Sequence, residues 1–138
     1  MEPSRGRSFD HYISYAYEMK GLRDQAVDFD LRYFAATLRQ PVDTAALTAV
    51  YKRDGWKAYW TARAAALGPA ADNTCLSVDA GSGWLRTGDR TRSFAALNQA
   101  IDLHCFAVIQ LKADPRFDSV RSDPGFVALL TRLNLPDN

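Results

Sequence analysis

The sequence contains few residues of the kinds that most often carry chemistry. Among its 138 residues are 2 cysteines and 2 histidines, and the formal net charge is +1. Two cysteines are too few for a disulfide framework. A nearly balanced charge gives no reason to expect binding to nucleic acid or to a membrane surface. No run approaches the roughly 18 apolar residues that a membrane-spanning helix needs.

What is present is ordinary for a globular protein. Hydrophobic residues make up 47% and charged residues 24% of the chain, which suits one domain with a real core. Residues 1–8 are polar and basic with no apolar segment behind them, so they are predicted to be a flexible leader and not a secretory signal. A cytoplasmic location and reduced cysteines, Cys75 and Cys105, are expected on this basis.

An internal repeat is the most informative pattern. An aromatic residue stands four positions before a glycine at three places, 34 and 33 residues apart: Tyr17 and Gly21, Tyr51 and Gly55, Trp84 and Gly88. Such a pair predicts a helix end, because the ring packs inward and the glycine adopts a left-handed conformation. Two further positions repeat, an apolar or small residue four before each ring (Ile13, Leu47, Ala80) and a small one three before it (Ser14, Thr48, Gly81). Small residues there allow two helices to approach closely.

A period of about 34 residues with these positions resembles the tetratricopeptide repeat. The segments 15–26 and 85–90 carry the resemblance most clearly. It implies an all-α, single-domain structure over residues 9–138, a right-handed array of antiparallel helix hairpins. The expected repeats cover about residues 9–40, 43–68 and 74–104, and a capping segment with a terminal helix covers 105–138.

The C-terminal part contains a second internal repeat. Asp114-Pro115-Arg116-Phe117 recurs nine residues later as Asp123-Pro124-Gly125-Phe126, and Asp followed by Pro is a sound helix start. The region 111–133 and the segment 55–60 are similar to the end of bacterial tetratricopeptide proteins that carry a kinase, cyclase or winged-helix domain. The resemblance implies a sensory or scaffolding module in signalling, detached from its usual effector.

The segment 56–60 is the densest aromatic cluster, with Trp56, Tyr59 and Trp60. It is either a stacking platform for a ligand or a part of the core between helix pairs. The core is favoured, because bulky rings are mostly buried.

No catalytic group, metal site or cofactor site is predicted. A thiol nucleophile needs an imidazole within hydrogen-bond reach, and His104 and Cys105, as sequence neighbours, point in different directions. Pairing of Cys75 with His104 has no support in the sequence, and free cysteines are usually small buried hydrophobes. No three or four ligands stand at metal-binding spacing, and no phosphate loop is present.

A tetratricopeptide groove is lined by the first helix of each pair. Counting from the glycines, we predict that the groove residues are His11, Tyr12, Tyr15, Glu18, Met19, Ala49, Lys52, Arg53, Ser82 and Arg86. An aromatic end and a small, basic end would suit a peptide with an apolar side chain and a carboxylate, such as an acidic or C-terminal segment. Alternatively, Lys52, Arg53 and Arg86 are ordinary solvated side chains.

The sequence therefore predicts a protein- or peptide-binding scaffold and not an enzyme. One alternative is a small-molecule binder or enzyme that uses His11 with Tyr12, Tyr15 and Trp60. Another is a structural module that forms a homodimer or larger oligomer through an exposed apolar face, since three repeats are near the minimum for a stable array.

Overall fold

The computed structural model describes residues 9–38, 41–68 and 75–134. Over these ranges the chain is all-α and has no β-strand, which confirms the predicted fold class at this level. The α-helices are α1 (Asp10–Met19), α2 (Arg23–Thr37), α3 (Thr44–Asp54), α4 (Trp56–Leu67), α5 (Ser77–Thr87), α6 (Arg90–Asp102) and α7 (Pro124–Leu133). Two 3₁₀ helices, Phe106–Gln110 and Pro115–Val120, lie between α6 and α7. The predicted leader, residues 1–8, lies outside the described residues.

The chain divides into two compact units, Met1–Tyr59 and Trp60–Asn138, here called the N-terminal and C-terminal units. The boundary falls within α4. The expectation of one domain over residues 9–138 stays a prediction.

In the N-terminal unit, α1 and α2 form an antiparallel hairpin. The Ser14 hydroxyl donates a hydrogen bond of 2.6 Å to the carbonyl oxygen of Ala26 and joins the two helices. A second buried polar contact involves Asp30, which accepts a hydrogen bond from the Tyr59 hydroxyl. The buried apolar side chains of this unit include Ala26, Val27, Leu31, Phe34, Leu38, Leu47 and Tyr59.

In the C-terminal unit, α5 and α6 form the corresponding hairpin. The Ser93 hydroxyl donates a hydrogen bond of 2.7 Å to the carbonyl oxygen of Gly81. A Cβ at Gly81 would lie 2.8 Å from Cδ2 of Leu97, so only glycine permits this approach. The helices and 3₁₀ turns then enclose a core of Val78, Leu97, Ala100, Cys105, Val108, Leu111, Phe117, Val120, Phe126 and Leu129.

Two of the three predicted aromatic–glycine pairs end their helices in the expected way, whereas Gly55, which ends α3, has a ψ of −166° outside the left-handed region. At the end of α1, the amide of Gly21 donates to Glu18 and the next amide to the carbonyl of Tyr17; at the end of α5, Gly88 and Trp84 take the same positions. This is the Schellman arrangement, and both glycines have positive φ, 74° and 85°. The structure thus confirms these two helix ends.

Aspartates begin four of the later helices. The side chains of Asp43, Asp89, Asp114 and Asp123 each accept a hydrogen bond from a backbone amide of the following helix. Pro115 and Pro124 occupy the first turn after the last two. The first Asp-Pro copy starts a 3₁₀ helix and the second starts α7, as the tail pattern predicts.

The aromatic cluster is largely core. Tyr59 and Trp60 are buried, which favours the core over a ligand platform at these two positions. Within the C-terminal unit, the Trp60 ring lies 5.0 Å from the guanidinium carbon of Arg63. Arg63 is itself 1% exposed and forms a 3.1 Å ion pair with Asp79. A buried charge needs such a partner, because water no longer solvates it.

The cysteines form a disulfide, Cys75–Cys105, so the prediction that they are reduced is wrong in this structure. Their Cα atoms lie 5.4 Å apart. The pairing follows from the hairpin, because Cys75, two residues before α5, and Cys105, three residues after α6, come to the same end of two antiparallel helices. The count of cysteines in the sequence carries no information on this geometry.

Candidate functional site

Helix α1 is held against α2 by one hydrogen bond and by aromatic rings. The Tyr17 ring stacks on Phe29 with centroids 5.5 Å apart, and the His11 ring lies 5.1 Å from Tyr33. Ser14 is the buried residue of α1. The side of α1 that faces α2 therefore carries Ser14 between two rings, His11 and Tyr17.

The opposite face of α1 is apolar and exposed. Phe9 is 64% exposed, Tyr12 56%, Ile13 38% and Met19 65%, and Ala16 is also exposed. These five residues, here called the α1 stripe, follow helical spacing and share one face. A contiguous apolar face on a protein surface marks an interaction site more often than a scattered set of such residues does.

Ile13 differs in exposure from its counterparts in the other two repeats. Ile13 occupies the repeat position that Leu47 and Ala80 occupy later in the chain. Leu47 and Ala80 are both 6% exposed, whereas Ile13 is 38% exposed. The position that serves the core in α3 and α5 therefore faces outward in α1.

Five of the predicted groove residues lie on α1. Tyr12 and Met19 belong to the α1 stripe. Beside them, the Tyr15 hydroxyl donates to the thioether of Met19 at 3.1 Å, and the His11 ring contacts that of Tyr12 at 4.2 Å. Glu18 is half-buried. The structure thus brings four of the five into contact as two pairs, His11 with Tyr12 and Tyr15 with Met19.

Three predicted groove residues lie on α3. Ala49, Lys52 and Arg53 are exposed, and the Arg53 guanidinium pairs with the neighbouring carboxylate of Asp54 at 2.8 Å. Lys52 also lines a cleft of about 380 Å³ between α2 and α3. These three are surface residues. Their exposure agrees both with a peptide-binding groove and with ordinary solvated side chains.

The same cleft contains a perturbed tyrosine. Burial, a 2.6 Å hydrogen bond to Asp24 and the negative charge of that carboxylate raise the pKa of Tyr51 from 10.0 to about 12. The phenol therefore stays protonated at neutral pH, where it donates to Asp24 and ties α3 to α2. Its role in the structure is that of a hydrogen-bond donor.

The last two predicted groove residues lie on α5. Ser82 is buried, and its hydroxyl accepts a 2.6 Å hydrogen bond from Arg86. The Arg86 guanidinium also lies 4.1 Å from the centre of the Trp60 ring. Ser82 therefore does not line a surface, and Arg86 is held by contacts within its own unit.

The candidates for nucleophilic chemistry are not arranged as a thiol–imidazole pair. Cys75 and Cys105 are bonded to each other, so neither is a thiol. His104 is exposed and adopts a positive φ of 54°, as the residue that ends α6 in place of the usual glycine. Its position is explained by the helix end.

Among residues 9–38, 41–68 and 75–134, no three His, Cys, Asp or Glu side chains are grouped so that they could hold a metal ion. No helix in the described part of the chain has both the length and the apolar character to cross a bilayer.

Sequence reasoning missed two surface features. One is the exposure of Phe9 and Ile13, although their helical spacing with Tyr12 and Met19 is visible in the sequence. The other is a groove of about 730 Å³ in the C-terminal unit. Its lining consists of Ala64, Leu67, Gly68, Ala80, Trp84, Arg92, Ala95, Ala96, Asn98, Gln99 and Asp102. It was missed because its lining comes from three helices.

Comparison with known proteins adds no relative: no protein-family model, no curated protein and no solved structure matches the chain.

Proposed function

We propose that this chain is a tetratricopeptide-like module that binds a protein or peptide and does not catalyse a reaction. The observation that carries the proposal is the α1 stripe, an apolar helix face turned outward while Ser14 faces the partner helix. Exposing such a face is unfavourable by about 25 cal/mol per Å² of apolar surface. A binding partner that covers it supplies the missing burial.

The repeat geometry supports the tetratricopeptide part of the proposal. Two helix hairpins, α1–α2 and α5–α6, end their first helices with the same aromatic–glycine arrangement. The groove formed by the first helices, the bacterial signalling context and an acidic or C-terminal peptide as ligand belong to this proposal and rest on the family resemblance.

Binding is favoured over the enzyme alternative by the state of the candidate groups. The thiols are consumed in the disulfide, and Trp60 is buried and not available as a ligand platform. The compartment is a separate matter. The cytoplasm stays the expectation from the sequence, and the disulfide weighs against it, because cytosolic thiols are kept reduced.

Site-specific photo-crosslinking tests the binding function. A benzoylphenylalanine in place of Tyr12 reports what lies against the α1 stripe in a whole-cell lysate. The matched control carries the same group in place of Ala36, which is exposed on α2. Crosslinked protein at position 12 in excess over position 36 is expected.

A variant of the α1 stripe completes the experiment. Ile13→Glu in the position-12 protein is expected to remove the crosslinks, since a carboxylate in an apolar contact is costly. Equal crosslinking at the two positions, or none at position 12, would show that the α1 stripe is not a binding surface.

A further inference from the structure

One face of α6 lines the groove of about 730 Å³ in the C-terminal unit. Arg92, Ala95, Ala96 and Gln99 follow helical spacing on this face, and all four line the groove. We propose that the groove, here called the α6 groove, binds a short peptide through a free C-terminal carboxylate. The inference goes beyond the proposed function, because it concerns a surface other than the α1 stripe.

Small side chains keep the α6 groove open. Ala64, Leu67 and Ala80 line it and are each at most 8% exposed, so they form its floor. Ala95 and Ala96 border it from α6. The volume lies within the range of roughly 300–1,000 Å³ that is usual for ligand sites. Most of the lining belongs to α4 and α6, the second helices of their predicted pairs, so this is not the groove that the sequence predicted.

Four side chains with charged or amide groups line the α6 groove, and two of them are already engaged. Asn98 and Asp102 both accept hydrogen bonds from Arg132. The other two are Arg92 and Gln99. In the described part of the chain, neither of these two side chains forms a hydrogen bond with another residue. They are therefore the groups through which the groove would bind a polar ligand.

Neighbouring side chains orient the Arg92 guanidinium. Its carbon lies 4.7 Å from the centre of the Trp84 ring, and its Nε lies 3.5 Å from the carboxylate of Asp89. The Arg92 side chain is nevertheless 64% exposed. A guanidinium forms two parallel hydrogen bonds with a carboxylate, and the positive end of the helix dipole in the first turn of α6 adds to the attraction for an anion.

Gln99 supplies the second polar group of the site. Its side chain is half-buried, and the amide carries both hydrogen-bond donors and an acceptor. A peptide group also carries one donor and one acceptor, so the Gln99 amide can bind the backbone of a peptide ligand. A hydrocarbon chain would cover this amide without bonding to it, which is unfavourable. The site therefore favours a peptide over a fatty acid.

The distance between the two groups sets the length of the ligand. Arg92 and Gln99 stand seven positions apart on α6, which is about 10 Å along the helix. An extended peptide advances about 3.3–3.6 Å per residue. Three residues therefore place the carboxylate at Arg92 and a peptide group at Gln99. The single positive charge of Arg92 also matches a carboxylate better than a phosphate group, which carries up to about two negative charges.

A titration of the full chain followed by nuclear magnetic resonance tests the proposal. The probe is the peptide N-acetyl-Ala-Leu-Ala with a free carboxylate, and the matched control ligand is the same peptide with a C-terminal amide. The free acid is expected to cause a saturable shift of the Trp84 indole signal, which is assigned through Trp84→Phe. The amide is expected to bind about tenfold more weakly or worse, because it lacks the charge that Arg92 recognises.

Variants assign each part of the ligand to a residue. In Arg92→Gln, the preference for the acid over the amide is expected to disappear. The matched control is Arg32→Gln, which removes a guanidinium stacked on the Phe29 ring of α2 and is expected to bind like the native chain. Gln99→Met is expected to weaken the binding of both peptides and to leave the preference for the acid. Circular dichroism of each variant verifies that the helices are intact.

Two results would overturn the proposal. One is a native chain that binds neither peptide at millimolar concentration or binds both equally. The other is a preference for the acid that persists in Arg92→Gln. The free tripeptide Ala-Leu-Ala then distinguishes the sources of the ligand, and either result is compatible with the carboxylate site. Binding as tight as that of the acetylated peptide indicates a free peptide, whereas weaker binding indicates the end of a longer chain.

Discussion

The hydrogen bond from the Ser14 hydroxyl to the carbonyl oxygen of Ala26 has a counterpart 67 residues later with the direction reversed, from Ser93 to Gly81. The same two repeat positions meet in both hairpins, and either one supplies the serine. A serine hydroxyl that bonds a carbonyl across the hairpin requires a short distance between the helices. The repeat therefore preserves a close approach, and the residue that makes the bond is interchangeable.

The close packing of Leu97 against Gly81 predicts opposite effects for two glycines of α5. Gly81→Ala is expected to lower the free energy of unfolding by about 1–3 kcal/mol, because its Cβ would collide with buried Leu97. Gly83→Ala is expected to raise it by up to about 1 kcal/mol, since its Cβ would meet Trp60 at an ordinary 3.8 Å. Urea denaturation measures both. Equal effects of the two substitutions would contradict the close packing at Gly81.

The buried ion pair predicts a large effect of one aspartate. Asp79→Ala leaves the guanidinium of Arg63, 1% exposed, without this carboxylate, and is expected to destabilise the fold by about 3 kcal/mol. Asp54→Ala is the matched control, because it removes the solvent-exposed pair with Arg53 and is expected to cost less than about 1 kcal/mol. Thermal unfolding of both variants measures the difference. Similar melting temperatures of the two variants would show that the buried ion pair stabilises the fold no more than the exposed one does.

The disulfide predicts a dependence of stability on reductant. The bond joins residues 30 positions apart, and loss of such a crosslink is expected to cost about 3 kcal/mol. Chemical denaturation with and without dithiothreitol measures it. The control is Cys75→Ser/Cys105→Ser, which is expected to be less stable than the native chain and insensitive to reductant. Two reactive thiols in the unreduced, unfolded native chain would contradict the pairing.

The raised pKa of Tyr51 predicts that the folded chain loses stability at alkaline pH. Its pKa of about 12 in the folded chain lies above the ordinary 10.0, so the folded state holds a proton that the unfolded state releases first. The contribution of Tyr51 is therefore complete below pH 10 and is lost as the pH rises to about 12.

Denaturation at several pH values compares the native chain with Tyr51→Phe. The native chain is expected to lose stability more steeply over this window, because the phenylalanine variant lacks the titrating group. In Asp24→Asn the slope is expected to be smaller than in the native chain, since the charged hydrogen-bond acceptor is gone. An identical slope in the native chain and Tyr51→Phe would show that Tyr51 titrates normally.

Sequence patterns predicted the helix ends well, because the forces there are local. Gly21 and Gly88 need positive φ whatever surrounds them, and Asp123 caps the helix that directly follows it. The all-α class follows from such signals together.

Features that depend on residues far apart in the chain could not be predicted from the sequence. Gly81 and Gly83 look alike in the sequence, and only the position of Leu97 separates them. The pairing of Cys75 with Cys105 required the antiparallel hairpin. In α1, the repeat pattern predicted that Ser14 lies where two helices approach closely, and the structure confirms this, but the pattern did not predict that Ile13 is 38% exposed while Leu47 and Ala80 at the same repeat position are buried.

The disulfide also determines how the chain responds to mechanical force. It joins Cys75, two residues before α5, to Cys105, three residues after α6, so tension applied to the two ends of the chain passes through the sulfur–sulfur bond. Helices α5 and α6 then bear none of the load, and 30 residues, about 100 Å of extended chain, cannot be drawn out. Reduction adds this length, and a stretched molecule would report its redox state as a change in extension.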